Sequence, residues 1–225
     1  MGQDVLPVQR REMSVWRILY FEYLEYAAKC NESCETDSES GRQLQQARSK
    51  MRQYDFTLRF ALGKHDADPN LFVDKLFEES CDDALIGLGR HGCIALEFAR
   101  EAPSADEAIL SALAAVQRAI PKAKLVEATP DLVGLTDIAN LLGFSRQYMR
   151  KLVVEEGADF PLPVHEGKPA IWHLSTVLSW FEDNKARAFD SSLMEIARVN
   201  RQCNLTKELA GMDRDMSDRF KALII

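Results

Sequence analysis

The segment SRQYMRK, residues 145–151, holds three cations and no acid within seven positions. On a helix, Arg146 and Arg150 are four residues apart, as are Gln147 and Lys151, so they share an outward face while Met149, Leu152 and Val153 turn inward. A guanidinium fork fits the acceptor pair of guanine, and a glutamine amide fits adenine, when such a helix enters a major groove. Lysine acts instead as a point charge suited to phosphate. Ser145 caps the segment and Tyr148 lies on its first turn, and Lys168 adds a further cation on a later turn. The expected DNA-contacting set is therefore Ser145, Arg146, Gln147, Tyr148, Arg150, Lys151 and Lys168, the first six on one short helix.

Other candidate chemistry is sparse. Five cysteines, Cys30, Cys34, Cys81, Cys93 and Cys203, are odd in number and scattered, without a CxxC pair, and the four histidines are dispersed. Neither a disulfide framework nor a zinc site is expected from that spacing. The CDDA stretch at residues 81–84 reads as solvated aspartates at a helix-to-strand junction. Gly87, Gly89 and Gly92 lack GxGxxG spacing and precede a strand, which suits turns better than phosphate cradles. No carboxylate pair, nucleophile with a base, or metal spacing stands out, so the expectation is a non-enzyme with no cofactor and no metal.

The outward face needs elements to hold it. In LTDIANLLGFSRQYMRKLV, residues 135–153, Thr136 is placed to cap a helix that buries Ile138, Ala139, Leu141 and Leu142, and Gly143 then reverses the chain. Ala139 is small where two helices must cross, and Met149 and Leu152 anchor the second helix. Next, DFPLPVHEGKPAIWHLSTVLSWFEDN gives a rigid Phe160-Pro161 entry, then Val164 and Trp172 flanking a Gly167-Lys168 hairpin. A helix follows, capped by Ser175, with Val177 and Trp180 inward. Over residues 132–184 this order resembles the MerR-like, phage excisionase-type winged helix-turn-helix domains. That resemblance implies that the helix at 145–153 lies in the major groove and that the wing reaches phosphate or the neighbouring minor groove.

The rest of the chain reads as supporting structure. Residues 1–30 contain a dense amphipathic helix around Trp16, Leu19, Tyr23 and Tyr26, and residues 31–50 are too polar to pack and read as a linker. Met51 directly precedes the first strong strand, so the residues before it could stem from an over-extended start site. Residues 51–130 follow a βαββαβ order. YDFTLRFAL alternates as a half-buried strand, PNLFVDKLFEES gives a helix with Phe72, Val73, Leu76 and Phe77 apolar, and two strands meet at Arg90-His91-Gly92. A helix starting at Ser104 buries Ile109, Leu113, Val116 and Ile120, and AKLVEA is the last strand. The expected class is α+β: a ferredoxin-like domain at 51–130, a winged helix-turn-helix at 131–184 and a C-terminal helix within 185–225. The open sheet face would carry Asp55, Thr57, Arg59 and Glu97, without the aromatic platform that stacks RNA bases.

Net charge of −7 excludes a chain that coats itself with nucleic acid or anionic membrane. Residues 132–180 hold four basic and five acidic side chains, so one copy neutralises few phosphates and two copies on adjacent half-sites would bind far better. Leu193, Ile196, Asn200 and Cys203 follow one helical rhythm in the tail and Leu205, Leu209, Met212 and Met216 another, with Gly211 as a break. Such a helix suits either a homodimer contact or a return onto its own chain. No apolar run reaches membrane-spanning length and no signal peptide is evident, which points to a reducing cytoplasm. The expected function is a dimeric DNA-binding transcriptional regulator. An excisionase-like architectural protein and a protein-interaction adaptor remain alternatives, and an effector or partner at the N-terminal domain stays open.

Overall fold

The computed structural model describes residues 51–63, 68–87, 91–185, 187 and 189–224. The N-terminal helix and linker expected within residues 1–50, Cys30, Cys34 and the turn residue Arg90 lie outside the described residues. The fold is α+β, with a four-stranded antiparallel sheet and seven α-helices among the described residues.

Strand β1 (Arg52–Ala61) buries every second side chain, Tyr54, Phe56, Leu58 and Phe60, because successive residues point to opposite sheet faces. It pairs antiparallel with β3 (Cys93–Ala102) in a register that sets Phe56 against Phe98, Leu58 against Leu96 and Phe60 against Ile94. The Phe56 and Phe98 rings stack with centroids 5.1 Å apart. Strand β2 (Ala84–Gly87) borders β3, and β4 (Lys124–Thr129) borders β1, giving the order β2-β3-β1-β4 with every neighbour antiparallel.

A 3-10 turn at Pro69–Phe72 leads into α1 (Val73–Glu78) between β1 and β2, and α2 (Ala105–Ala119) lies between β3 and β4. Helix α2 offers Ala105, Ala108, Ala112 and Ala115 beside Ile109, Leu113 and Val116, small residues that let it lie close to the sheet. Phe77 is 53% exposed and stands off this core, because α1 is a single short element whose Leu76 and the preceding Phe72 take the buried positions. The opposite sheet face is polar, with Gln53, Asp55, Arg59, Glu97 and Glu101 exposed. Arg100 is drawn under the helices by a two-pronged pair with Asp83, at 2.7 and 2.8 Å, and by the Ser80 carbonyl, so one of the CDDA aspartates is a structural counter-ion.

A second core surrounds α3 (Leu135–Leu142), α4 (Arg146–Glu156) and α5 (Leu174–Lys185). Strand β5 (Leu132–Gly134) pairs antiparallel with β6 (Ile171–His173), tying the residues before α3 to those before α5. Phe160, Trp172, Trp180 and Phe181 form a ladder of edge-on rings, and the Trp172 indole N–H donates to the Pro161 carbonyl at 2.9 Å. These rings give a small core most of its apolar area, although the buried Trp180 indole N–H, unlike that of Trp172, has no hydrogen-bond partner.

Helix α6 (Ser191–Leu209) joins the two cores. Its Met194 and Ala197 enter the second core, while its Ile196 is buried and the helix packs on β1, β4 and α2. Farther along, Asn204 accepts from the Ala128 N–H and donates to the Ala128 carbonyl, each at 2.8 Å. One side-chain amide thereby fills backbone positions on the edge strand β4, where a neighbouring strand would otherwise be invited. The same amide donates to Asp131 at 2.8 Å, and Asp131 also meets His173 Nδ1 at 2.7 Å. After a break at Gly211, α7 (Arg214–Ile224) carries no buried residue.

Of the two roles open to the tail's first rhythm, the structure shows the return onto its own chain: Ile196 and Asn200 are buried, and Leu193 and Cys203 are partly covered. The second rhythm, Leu205, Leu209, Met212 and Met216, is exposed.

Candidate nucleic-acid interface

The turn that sets α4 forms by local chemistry. Helix α3 starts at Leu135 with Gly134 as its cap, and Asp137 accepts from the Gly134 N–H at 2.9 Å. Thr136 therefore lies within the first turn, not at the cap, because Asp137 already satisfies the chain entry. Gly143 adopts φ 68°, and the Phe144 N–H bonds back to the Ala139 carbonyl at 2.8 Å. Nothing lies within 4 Å of a Cβ placed at Gly143, so glycine is needed there for the left-handed backbone, not for space.

Ser145 then caps α4, its hydroxyl accepting from the Tyr148 N–H at 3.1 Å. Ile138, Ala139 and Leu142 from α3 and Met149 and Leu152 from α4 fill the crossing, and Val153 packs beside it. Leu141, expected inside, is 43% exposed, because α3 has only eight residues and its buried stripe passes through 138, 139 and 142.

With Met149 and Leu152 fixed inward, Arg146, Gln147, Tyr148, Arg150 and Lys151 are all exposed, as is Ser145. Arg146 and Gln147 occupy the first turn, where unpaired N–H groups and the positive end of the helix dipole already favour an anion. Tyr148 leans on Phe144 with centroids 4.9 Å apart, which limits its freedom without burying its hydroxyl edge. Lys151 reaches Glu155 at 3.4 Å, but both side chains are more than half exposed, so this pair holds the lysine only weakly. Glu156 is taken by Lys185, whose ammonium is raised above its ordinary range chiefly by that hydrogen bond.

Lys168 stands apart from α4 on a loop, residues 161–170, and is exposed. The expected two-stranded hairpin around Gly167-Lys168 is reduced to one bridge, His165 with Ile171, on the edge of Ile171–His173 away from β5, because Pro161, Pro163 and Pro169 have no N–H to extend a ladder. The helix expected to be capped by Ser175, and so to start at Thr176, begins two residues earlier, at Leu174, whose N–H is held by the Asp131 carbonyl at 2.7 Å. Ser175 is thereby pulled inside the first turn and buried.

Sequence reasoning missed Arg187. Its guanidinium lies 4.2 Å from the Phe144 ring centroid and donates to the Leu142 carbonyl at 3.4 Å, bracing the turn from outside. The run of basic and acidic residues after α5 carried no periodic signal that would have placed it there. Asp131 was likewise passed over as a boundary residue, yet it is 1% exposed and joins β6 to α6 through His173 and Asn204.

Chemically, α4 presents a fork of donors on a rigid helix. Among the described residues no three His, Cys, Asp or Glu side chains gather as a metal site. The thiols of Cys81 and Cys203 are pushed up to about 11 by burial, which makes them poor nucleophiles near neutral pH. No helix among the described residues is long and apolar enough to cross a membrane. Comparison with family models, with curated proteins and with solved structures finds no match to this chain.

Proposed function

We propose that this chain is a DNA-binding transcriptional regulator whose residues 132–184 act as a winged helix-turn-helix and whose α4 reads the major groove. The observation that carries the reading is the face of α4: five donor side chains exposed together from residue 146 to 151 while the intervening Met149 is fully buried. A helix that served packing alone would have no use for cations at its exposed N-terminal turn, where the dipole disfavours them. A phosphate backbone and guanine acceptors reverse that penalty. The loop at 161–170 is the wing in this reading, with Lys168 on phosphate, and the strand order β2-β3-β1-β4 supports a ferredoxin-like sheet as the scaffold.

The protein works as a homodimer in this reading, which raises the affinity of a module poor in charge. The exposed apolar stripe of Leu209, Met212, Met216 and Phe220 is the contact. The polar side chains around its second half, Asp213, Arg214, Asp215, Asp218, Arg219 and Lys221, balance to zero charge, which suits pairing with a second copy better than an anionic membrane.

The test is a binding series on a selected duplex and its single-base variants at several salt concentrations. Arg146→Ala or Arg150→Ala should cost about 1–3 kcal/mol on the preferred site and relax discrimination at one base position. Lys168→Ala should weaken all duplexes alike and flatten the salt slope by about one unit. If every variant binds every duplex as the parent does, α4 is not the reading helix.

A further inference from the structure

The groove between α5 and α6 has a chemistry that the DNA reading leaves unused. Ser175, Thr176 and Ser179 from the first turns of α5 face Arg198, Arg201 and Gln202 from the middle of α6 across an open space of about 500 Å³. Two guanidinium groups and no carboxylate line it. Arg201 donates to the Thr176 hydroxyl at 3.2 Å, and neither arginine forms an ion pair among the described residues. Arg201 therefore stands at the positive end of a twelve-residue helix, whose first N–H groups have no intrahelical partner, and Arg198 lines the same groove.

An independent observation comes from Ser175. It lines the groove, is only 5% exposed, and its hydroxyl has no hydrogen-bond partner. A buried hydroxyl without a partner is costly, and such groups call for an explanation. An acceptor-rich anion in the groove would supply the charge that faces the two arginines, and the Ser175 hydroxyl, itself closed to solvent, would gain its partner by rotating toward that anion.

We propose that this groove binds a phosphate monoester. Its phosphoryl oxygens accept from Arg198, Arg201 and the first turn of α5, and its organic part lies along Leu205, the apolar lining residue. The volume exceeds what a bare phosphate fills and falls within the range of about 300–1,000 Å³ typical of small-molecule sites. The inference does not rest on DNA binding by α4.

The full chain, free of DNA, is titrated with inorganic phosphate and separately with AMP at constant ionic strength, with chloride as the control, while the backbone amide signals of Thr176 and Ser179 are followed by NMR. Both anions should shift these signals saturably, AMP at lower concentration. Arg198→Gln and Arg201→Gln should each weaken binding about tenfold or more, the loss expected for one charge-assisted hydrogen bond. Arg201→Lys should recover part of it. Ser175→Ala should lower AMP affinity while leaving the melting temperature unchanged or higher, a combination that a purely structural hydroxyl would not give. Absence of saturable shifts, equal shifts with chloride, or undiminished binding in the Arg198→Gln, Arg201→Gln double variant would overturn the proposal. Duplex DNA added to the AMP complex separates the two: a ternary complex keeps the groove for a free phosphate monoester, and displacement of AMP would assign it to the phosphodiester backbone of DNA and overturn the proposal.

Discussion

Replacing Asn204 by alanine isolates the contact that fastens α6 to the sheet. The amide makes three bonds of 2.8 Å, two to the backbone of Ala128 and one to the Asp131 carboxylate. Ala128 is fully buried and Asp131 is 1% exposed, so removing the amide leaves a buried N–H, a buried carbonyl and a buried carboxylate oxygen short of a partner. A neutral bond is worth about 1 kcal/mol net, one to a charged group about 1.5–3 kcal/mol. Water reaches the partly exposed Asn204 position and recovers some of this, so the expected loss is about 2–4 kcal/mol. Against a typical stability of about 5–15 kcal/mol that is a large fraction. In urea, with a slope of about 1–3 kcal/mol per molar, the midpoint should fall by about 1–2 M without a change in slope. Leu205→Ala, one residue on and 42% exposed, is the control and should cost less than about 1 kcal/mol. If the two variants lose the same amount, α6 is not held to the edge of the sheet by this amide and the account of the junction is wrong.

Two further outcomes follow from the same helix. Ending the chain at Asp190 removes Met194, Ile196, Ala197 and Asn200 from the interior and should abolish cooperative unfolding, whereas ending it at Met212 removes no buried side chain and should keep the thermal midpoint while sedimentation reports loss of the dimer. A folded, two-state protein ending at residue 190 would contradict the packing of α6. Glu195 is held below the usual carboxylate range, first by the hydrogen bond from Arg52 and then by the Tyr54 hydroxyl. A carboxyl lowered in the folded state contributes stability that is full above its unfolded value and lost as pH falls through the folded one. Glu195→Gln should therefore cost less than about 1 kcal/mol at neutral pH, since the pair is more than a third exposed, and the difference should begin to shrink as pH falls below the ordinary glutamate value of about 4.3 and vanish only once the lowered folded value is passed. A difference that persists unchanged in acid, measured by denaturant melts across that range, would remove the ion pair as its cause.

Local pattern in the sequence determined β1, α2 and the turn at Gly143. Tyr54, Phe56, Leu58 and Phe60 announce a strand because alternation is a property of the pleat. Gly143 and Ser145 announce a helix break because one supplies a left-handed backbone and the other a capping oxygen within three residues. The exposed face of α4 was legible for the same reason: once Met149 and Leu152 are inward, helical geometry leaves Arg146, Gln147 and Arg150 outward. What the sequence could not decide are the matters set by residues far apart in the chain. Asn204 and Ala128 are 76 positions apart, His173 and Asp131 are 42, and neither pair leaves a periodic trace. The same holds for small shifts of a boundary. Whether Ser175 caps α5 or lies buried within it turned on the Asp131 carbonyl that receives the Leu174 N–H, and whether the tail leaves the chain or returns to it turned on an amide finding the open edge of β4. Periodicity states that a side chain has an apolar face, but only the packed structure supplies the surface that the face meets, because burial and hydrogen-bond satisfaction are properties of pairs and not of single residues.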